Sequence, residues 1–208
     1  MIYKHVIFDV DGTLLDTEFA VLRSLQDTVM KYLHSSVPAD ELYFALGIPG
    51  KVALEKLGVE DTEEANRYWN ERMRKYHKSI VLFDGINEML VMLRNKGYRL
   101  GIITSKTKSE FETDFVPHGV SHYFDSIICV DDSPKPKPHP DPILTYLKRN
   151  QIPAEEAIYI GDTEYDSICA HSAGVDFGLA LWGCRNKAGI RSENKFGTPD
   201  EIAIKYGK

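Results

Sequence analysis

Cysteine is scarce in this chain of 208 residues: Cys129, Cys169 and Cys184 form an odd set with no CxxC spacing. That argues against a disulfide framework and for a reducing compartment. No apolar run approaches the roughly 18 residues that span a bilayer. The opening MIYKHVIFDVDG lacks a signal-peptide layout, because charges interrupt its short apolar stretch. The chain therefore reads as cytoplasmic, with no membrane partner. A basic excess is missing too: 25 Lys and Arg stand against 31 Asp and Glu, a net charge of −6. Nucleic-acid binders usually carry a basic footprint, so no nucleic-acid partner is expected. There are no internal repeats or low-complexity tracts. A composition of 43% hydrophobic and 27% charged residues is that of an ordinary globular chain with a sizeable core.

What is present is a set of short, nearly continuous apolar runs: Val6 to Phe8, Leu100 to Ile103, Ser126 to Val130, Ala157 to Ile160 and Phe177 to Leu181. Continuity rather than alternation marks strands buried on both faces. Helical patterns separate them, over Gly85 to Lys96, Ser105 to His118, Asp141 to Arg149 and Thr163 to Ala173. Strand and helix in alternation predict an α/β fold, a Rossmann-like parallel sheet covered by helices. One stretch breaks the rhythm. From Thr17 to Ile80 only helical patterns appear: Phe19 to Tyr32, Ala39 to Ala45, Lys51 to Leu57 and Glu63 to Tyr76. That is too long for a crossover connection. It predicts a core domain of residues 1–16 and 82–208 with an inserted α-helical module of residues 17–81.

In an open parallel sheet, ligands bind beyond the carboxyl ends of the strands. Those ends here read Asp9-Val10-Asp11-Gly12-Thr13, Thr104-Ser105-Lys106, Asp131 to Pro138 with Lys137, and Gly161-Asp162-Thr163-Glu164-Tyr165-Asp166. Four acids at one sheet edge, Asp9, Asp11, Asp162 and Asp166, repel one another unless a hard cation joins them. Mg²⁺ suits oxygen ligands and leaves room for waters and a phosphate. A hydroxyl on Thr104 and an ammonium on Lys137 add what an anionic phosphoryl group needs. An aspartate can attack phosphorus to give an aspartyl-phosphate. An acid two residues on is placed to protonate the leaving oxygen and then activate water.

With these residues in order, the chain resembles the haloacid dehalogenase (HAD) superfamily with an inserted helical cap. The resemblance covers essentially the whole chain. It rests on DxDGT at Asp9 to Thr13, an apolar strand ending in Thr104, KPxPDP beginning at Lys137, and GDxxxD from Gly161 to Asp166. It implies that Asp9 is nucleophile and metal ligand. Asp11 is the general acid/base, with its backbone carbonyl on the metal. Thr104 and Lys137 grip the phosphoryl group, with Gly12, Thr13 and Ser105 beside it. Asp162 is a metal ligand, and Asp166 either binds the metal through water or orients Lys137. Ser105 stands in for Thr104 if the strand ends one residue later. The Gly47 to Lys51 segment is the expected substrate-facing loop of the cap, with Lys51 as its substrate contact.

Family contrasts narrow the expected reaction. Dehalogenating and phosphonate-cleaving relatives lack the acid found here at Asp11. Phosphomutases usually carry a His after the DT dipeptide and an Arg in the first cap loop. Neither stands in Asp16 to Val21 or Gly47 to Lys51. The resemblance implies a Mg²⁺-dependent, phosphoglycolate phosphatase-like enzyme acting on a small phosphorylated metabolite. The alternatives are a pyrophosphatase, a sugar-phosphate mutase, and a silent module that only binds Mg²⁺ and phosphate.

Overall fold

The computed structural model describes residues 3–206. In chain order they form β1 (His5–Phe8), β2 (Leu15–Asp16), α1 (Glu18–Leu33), α2 (Gly50–Lys56), α3 (Thr62–Met73), β3 (Val81–Leu82), α4 (Ile86–Asn95), β4 (Arg99–Ile103), α5 (Lys108–Asp114), β5 (Ser126–Ile128), α6 (Asp141–Asn150), β6 (Ala157–Gly161), α7 (Glu164–Ser172), β7 (Asp176–Ala180), β8 (Asn194–Phe196) and α8 (Pro199–Tyr206).

Six strands make one parallel sheet in the order β5-β4-β1-β6-β7-β8. The order reverses at β1, which puts the carboxyl ends of β1, β4 and β6 side by side. The pleat sorts side chains between two cores. Val6, Phe8, Ile158 and Ile160 join one core with Leu90 and Leu93 of α4 and Ile202 of α8. Ile7, Ala157 and Tyr159 join the other, with Ile143 of α6 and Cys169 and Ala170 of α7. All four residues of β1 and all five of β6 are buried, which is why their sequences run apolar without alternation.

The five expected strands form, with adjusted ends. The third stops at Ile128 rather than Val130. There the Cys129 amide donates to Asp132 Oδ2 (3.1 Å), and the chain folds into a 3-10 turn over Val130–Asp132. The helix expected over Ser105 to His118 is shorter. Thr107 caps it reciprocally with Glu110, and the chain turns to a 3-10 segment at Val116–His118, where Pro117 cannot continue an α-helical ladder. Ala39–Ala45 is a 3-10 rather than an α-helix.

Between β2 and β3, residues 17–80 form helices joined by short turns, with no strand among them. β2 and β3 pair antiparallel, Leu15 with Leu82 and Asp16 with Val81, so the segment leaves and rejoins the sheet region at one point. Inside it α1 packs on α3. The indole of Trp69 donates to Ser24 Oγ (2.8 Å), and Arg72 Nε and the Tyr76 hydroxyl both reach Asp27 Oδ2 (2.8 and 3.1 Å). No described helix is long and apolar enough to cross a membrane.

Candidate active site

The site grows from the end of β1. Asp9 still belongs to the ladder, its amide donating to Ile160 O (2.8 Å). The chain then turns back: Leu14 and Leu15 amides both donate to Val10 O (2.9 Å), and Gly12 N donates to Leu15 O (2.8 Å). Gly12 takes a φ of +76°, and a Cβ there would fall 2.2 Å from Asp162 Oδ2. Glycine thus lets the β1 turn press against the β6 end. Gly183 presses from the other side; its Cβ would fall 1.7 Å from the Gly12 carbonyl oxygen. The Trp182 indole also ties this loop down by donating to Thr13 O (2.9 Å).

Asp9, Asp162 and Asp166 are all buried, and each offers a carboxylate oxygen within 4.8 Å of the others. Lys137, brought in by the loop before α6, lies 3.0 Å from Asp9 Oδ1 and donates to Asp166 Oδ1 at 2.6 Å. With all three carboxylates ionised, this one ammonium would leave two negative charges uncompensated. Burial, reinforced by repulsion from Asp166, pushes the Asp162 carboxyl well above the usual carboxylate range. Burial also raises Asp9, although Lys137 opposes the shift. Burial works against the Lys137 charge, but Asp166 and Asp9 outweigh it and hold the ammonium above the ordinary lysine range. A two-charge deficit among hard oxygen donors fits one divalent cation such as Mg²⁺.

The expected residues divide by what their side chains do. Thr104 follows β4 directly; it is buried, and its hydroxyl accepts from the Lys106 amide (3.2 Å). Ser105 donates instead to Gly47 O of the helical segment (2.9 Å). The Thr13 hydroxyl is fully buried and donates to Asp162 Oδ1 (3.0 Å), so it holds an acid rather than facing the cavity. Asp166 has both oxygens engaged: Oδ1 by Lys137 and the Tyr159 hydroxyl (2.9 Å), Oδ2 by the amide (3.0 Å) and hydroxyl (2.5 Å) of Thr163. Lys51 is not brought to the site. It starts α2 with its side chain turned outward to pair with Glu63 and lines neither cavity described below. The rest of its loop does arrive: Gly47, Ile48 and Gly50 line a cavity of about 80 Å³ with Asp9 and Asp11 on the floor. A second cavity of about 290 Å³ opens past Gly12 and Asp162 toward Arg185 and Lys187.

Two functional candidates were not singled out in the sequence. Tyr159 looks like one more apolar strand residue, yet its hydroxyl accepts from Lys137 (3.1 Å) and lies 3.0 Å from Ile103 O. Lys106 stands directly after Thr104-Ser105, which was its only signal. It is 8% exposed and sits between Asp11 and Asp114. Burial disfavours its charge, but those two carboxylates outweigh the penalty and keep its ammonium above the ordinary lysine range.

The chain is 31% identical over 178 residues to a protein of Caldanaerobacter subterraneus provisionally named pyrophosphatase PpaX, covering 85% of this chain and 81% of that one. It is 27% identical over 178 residues to pyrophosphatase PpaX of Bacillus velezensis, covering 85% and 82%. A crystal structure from Lactobacillus plantarum, provisionally described as a phosphoglycolate phosphatase, superposes with a TM-score of 0.89 at 28% identity, covering 98% of this chain and 99% of that one. Residues 6–180 match the haloacid dehalogenase-like hydrolase family, and the chain belongs to that family.

Proposed function

We propose that this protein is a Mg²⁺-dependent phosphatase that hydrolyses a small phosphomonoester through an aspartyl-phosphate on Asp9, in the manner of a phosphoglycolate phosphatase. The observation that carries the reading is the convergence of Asp9, Thr104, Lys137, Asp162 and Asp166 at one edge of the sheet, where three carboxylates face a single ammonium. Asp9, Asp162 and the Asp11 backbone carbonyl would hold the cation. When bound, Mg²⁺ supplies positive charge to the phosphoryl oxygens.

The chain's own residues do the rest. Lys137 and the Thr104 hydroxyl hold the phosphoryl group, with the backbone amides of Asp11 and Ser105 beside it. An Asp9 oxygen forms a bond to phosphorus as the bond to the leaving oxygen breaks. Asp11 gives that oxygen its proton. The Asp11 carboxylate then takes a proton from water, water attacks phosphorus, and Asp9 is released with inorganic phosphate. Asp166 and the Tyr159 hydroxyl keep Lys137 aimed at Asp9. Residues 17–81 act as a cap on a core of 1–16 and 82–208, excluding water during the first step. The 80 Å³ cavity between Asp11 and the cap is small beside the roughly 300–1,000 Å³ of typical ligand pockets. The three buried, unpaired cysteines suit the reducing cytoplasm.

The names of the curated relatives favour pyrophosphate as a second candidate, with phosphate as the leaving group. The mutase alternative lacks the His and Arg named above, and Lys51, the basic residue of the Gly47 to Lys51 loop, pairs with Glu63. The test is phosphate release from a panel of phosphoglycolate, pyrophosphate, sugar phosphates and p-nitrophenyl phosphate, with Mg²⁺ or with EDTA. Turnover that needs Mg²⁺ is expected. Turnover that survives EDTA overturns the metal, and none on any substrate overturns the enzyme.

A further inference from the structure

Lys106 is a buried lysine that the reaction above does not use. Its Nζ lies 3.2 Å from Asp11 Oδ1 and donates to Asp114 Oδ2 at 2.8 Å. Asp114 is itself fixed from two sides. Its Oδ1 accepts from the Thr113 hydroxyl (3.2 Å) and lies 3.3 Å from Nε2 of His77, which comes from the helical segment. The Lys106 backbone is pinned as well, with its amide on Thr104 Oγ1 (3.2 Å) and its carbonyl accepting from Val130 N (2.9 Å). The ammonium is thus held in place independently of Asp11.

Asp11 differs. Its Oδ1 is completely buried and makes no well-aligned hydrogen bond, so the Lys106 ammonium is its one close electrostatic partner among the described residues. Yet the Asp11 side chain keeps 20% of its surface exposed, and the residue lines both cavities. One oxygen is therefore turned in toward the lysine, which leaves the other to face the leaving group.

We infer that Lys106 is a positioning residue for Asp11: it anchors Oδ1 so that Oδ2 carries the proton to the leaving oxygen. The inference rests on the phosphatase reading. The proton moves from Asp11 Oδ2 to the leaving oxygen as the phosphorus–oxygen bond breaks. The carboxylate left behind gains the Lys106 charge, and Lys106 itself exchanges no proton.

This role has a signature that simple support of the fold lacks. Protonation matters most for poor leaving groups and hardly at all for nitrophenolate. The experiment measures kcat/KM, which reports the first chemical step, for p-nitrophenyl, phenyl and benzyl phosphate. Wild type is compared with Lys106→Met and Lys106→Arg. Lys106→Met is expected to lower the benzyl-to-p-nitrophenyl ratio of kcat/KM by about 100-fold, the lower end of general-acid effects. Lys106→Arg is expected to restore most of that ratio. The ratio does not depend on how much of a sample is folded. Because loss of Lys106 strands Asp114, the Lys106→Met/Asp114→Asn double variant is measured alongside and should show the same fall. A ratio unchanged in both Met variants, whatever the absolute rates, overturns the inference. A wild-type protein that releases phosphate from none of the three esters, phosphoglycolate or pyrophosphate overturns the phosphatase reading itself.

Discussion

Replacing Lys137 by Met removes the ammonium from a pocket where its own side chain is 1% exposed and those of Asp166 and Asp9 are 0% and 2% exposed. The buried acids lose their neutralising partner at 2.6 and 3.0 Å. Breaking a buried pair from one side costs about 3–5 kcal/mol. For a chain of this size a kilocalorie shifts the melting midpoint by roughly 2–4 °C. The midpoint should therefore fall by about 6–20 °C in EDTA, within the stability of a typical domain. Asp166→Asn alone should cost less, about 1–3 kcal/mol, because the amide oxygen still accepts from the Tyr159 hydroxyl and Lys137 while the Thr163 amide loses its acceptor. Combined, the two changes should cost less than their sum by about 0.5–3 kcal/mol, since the second removes a charge the first left stranded. Urea unfolding of the four proteins in EDTA closes the cycle. Strict additivity, or a Lys137→Met cost under about 1 kcal/mol, would refute the claim that this lysine balances the acid cluster.

Two further outcomes follow from geometry away from that pair. Gly183→Ala puts a methyl group against the Gly12 carbonyl and must push the β1 turn aside. It should destabilise by about 1–3 kcal/mol and lower turnover, because that turn carries Asp11; unchanged activity in a fully folded variant contradicts the close approach. His5 is buried against the Tyr146 hydroxyl (2.9 Å), and burial followed by Arg99 pulls its pKa below 6.5. The unfolded chain then binds the proton more readily, so His5 costs stability as pH falls below about 6.5. His5→Gln should flatten the decline in melting midpoint between about pH 7.5 and 5.5, and a parallel decline in both proteins contradicts the assignment.

The sheet was legible because its central strands are buried on both faces, and burial writes itself as Val6-Ile7-Phe8 or Ile158-Tyr159-Ile160 without alternation. The acids were legible for the same reason: charges directly after such runs stand out. β8 was not, since Asn194-Lys195-Phe196 buries only Phe196 at a sheet edge. Nor was the β2–β3 pair, at two residues a strand. Tyr159 and Lys106 escaped notice because their partners lie far along the chain or across the fold, Ile103 for one and Asp11 for the other. Lys51 shows the converse. A basic residue in the right loop points wherever its helix turns it, here to Glu63.

The most direct measurement is mass spectrometry of the acid-quenched protein during steady turnover of p-nitrophenyl phosphate in Mg²⁺. The account expects the peptide containing Asp9 to carry the mass of one phosphoryl group, and Asp9→Asn to abolish both the adduct and turnover. A phosphoryl group on any other residue, or turnover retained in Asp9→Asn, would contradict it.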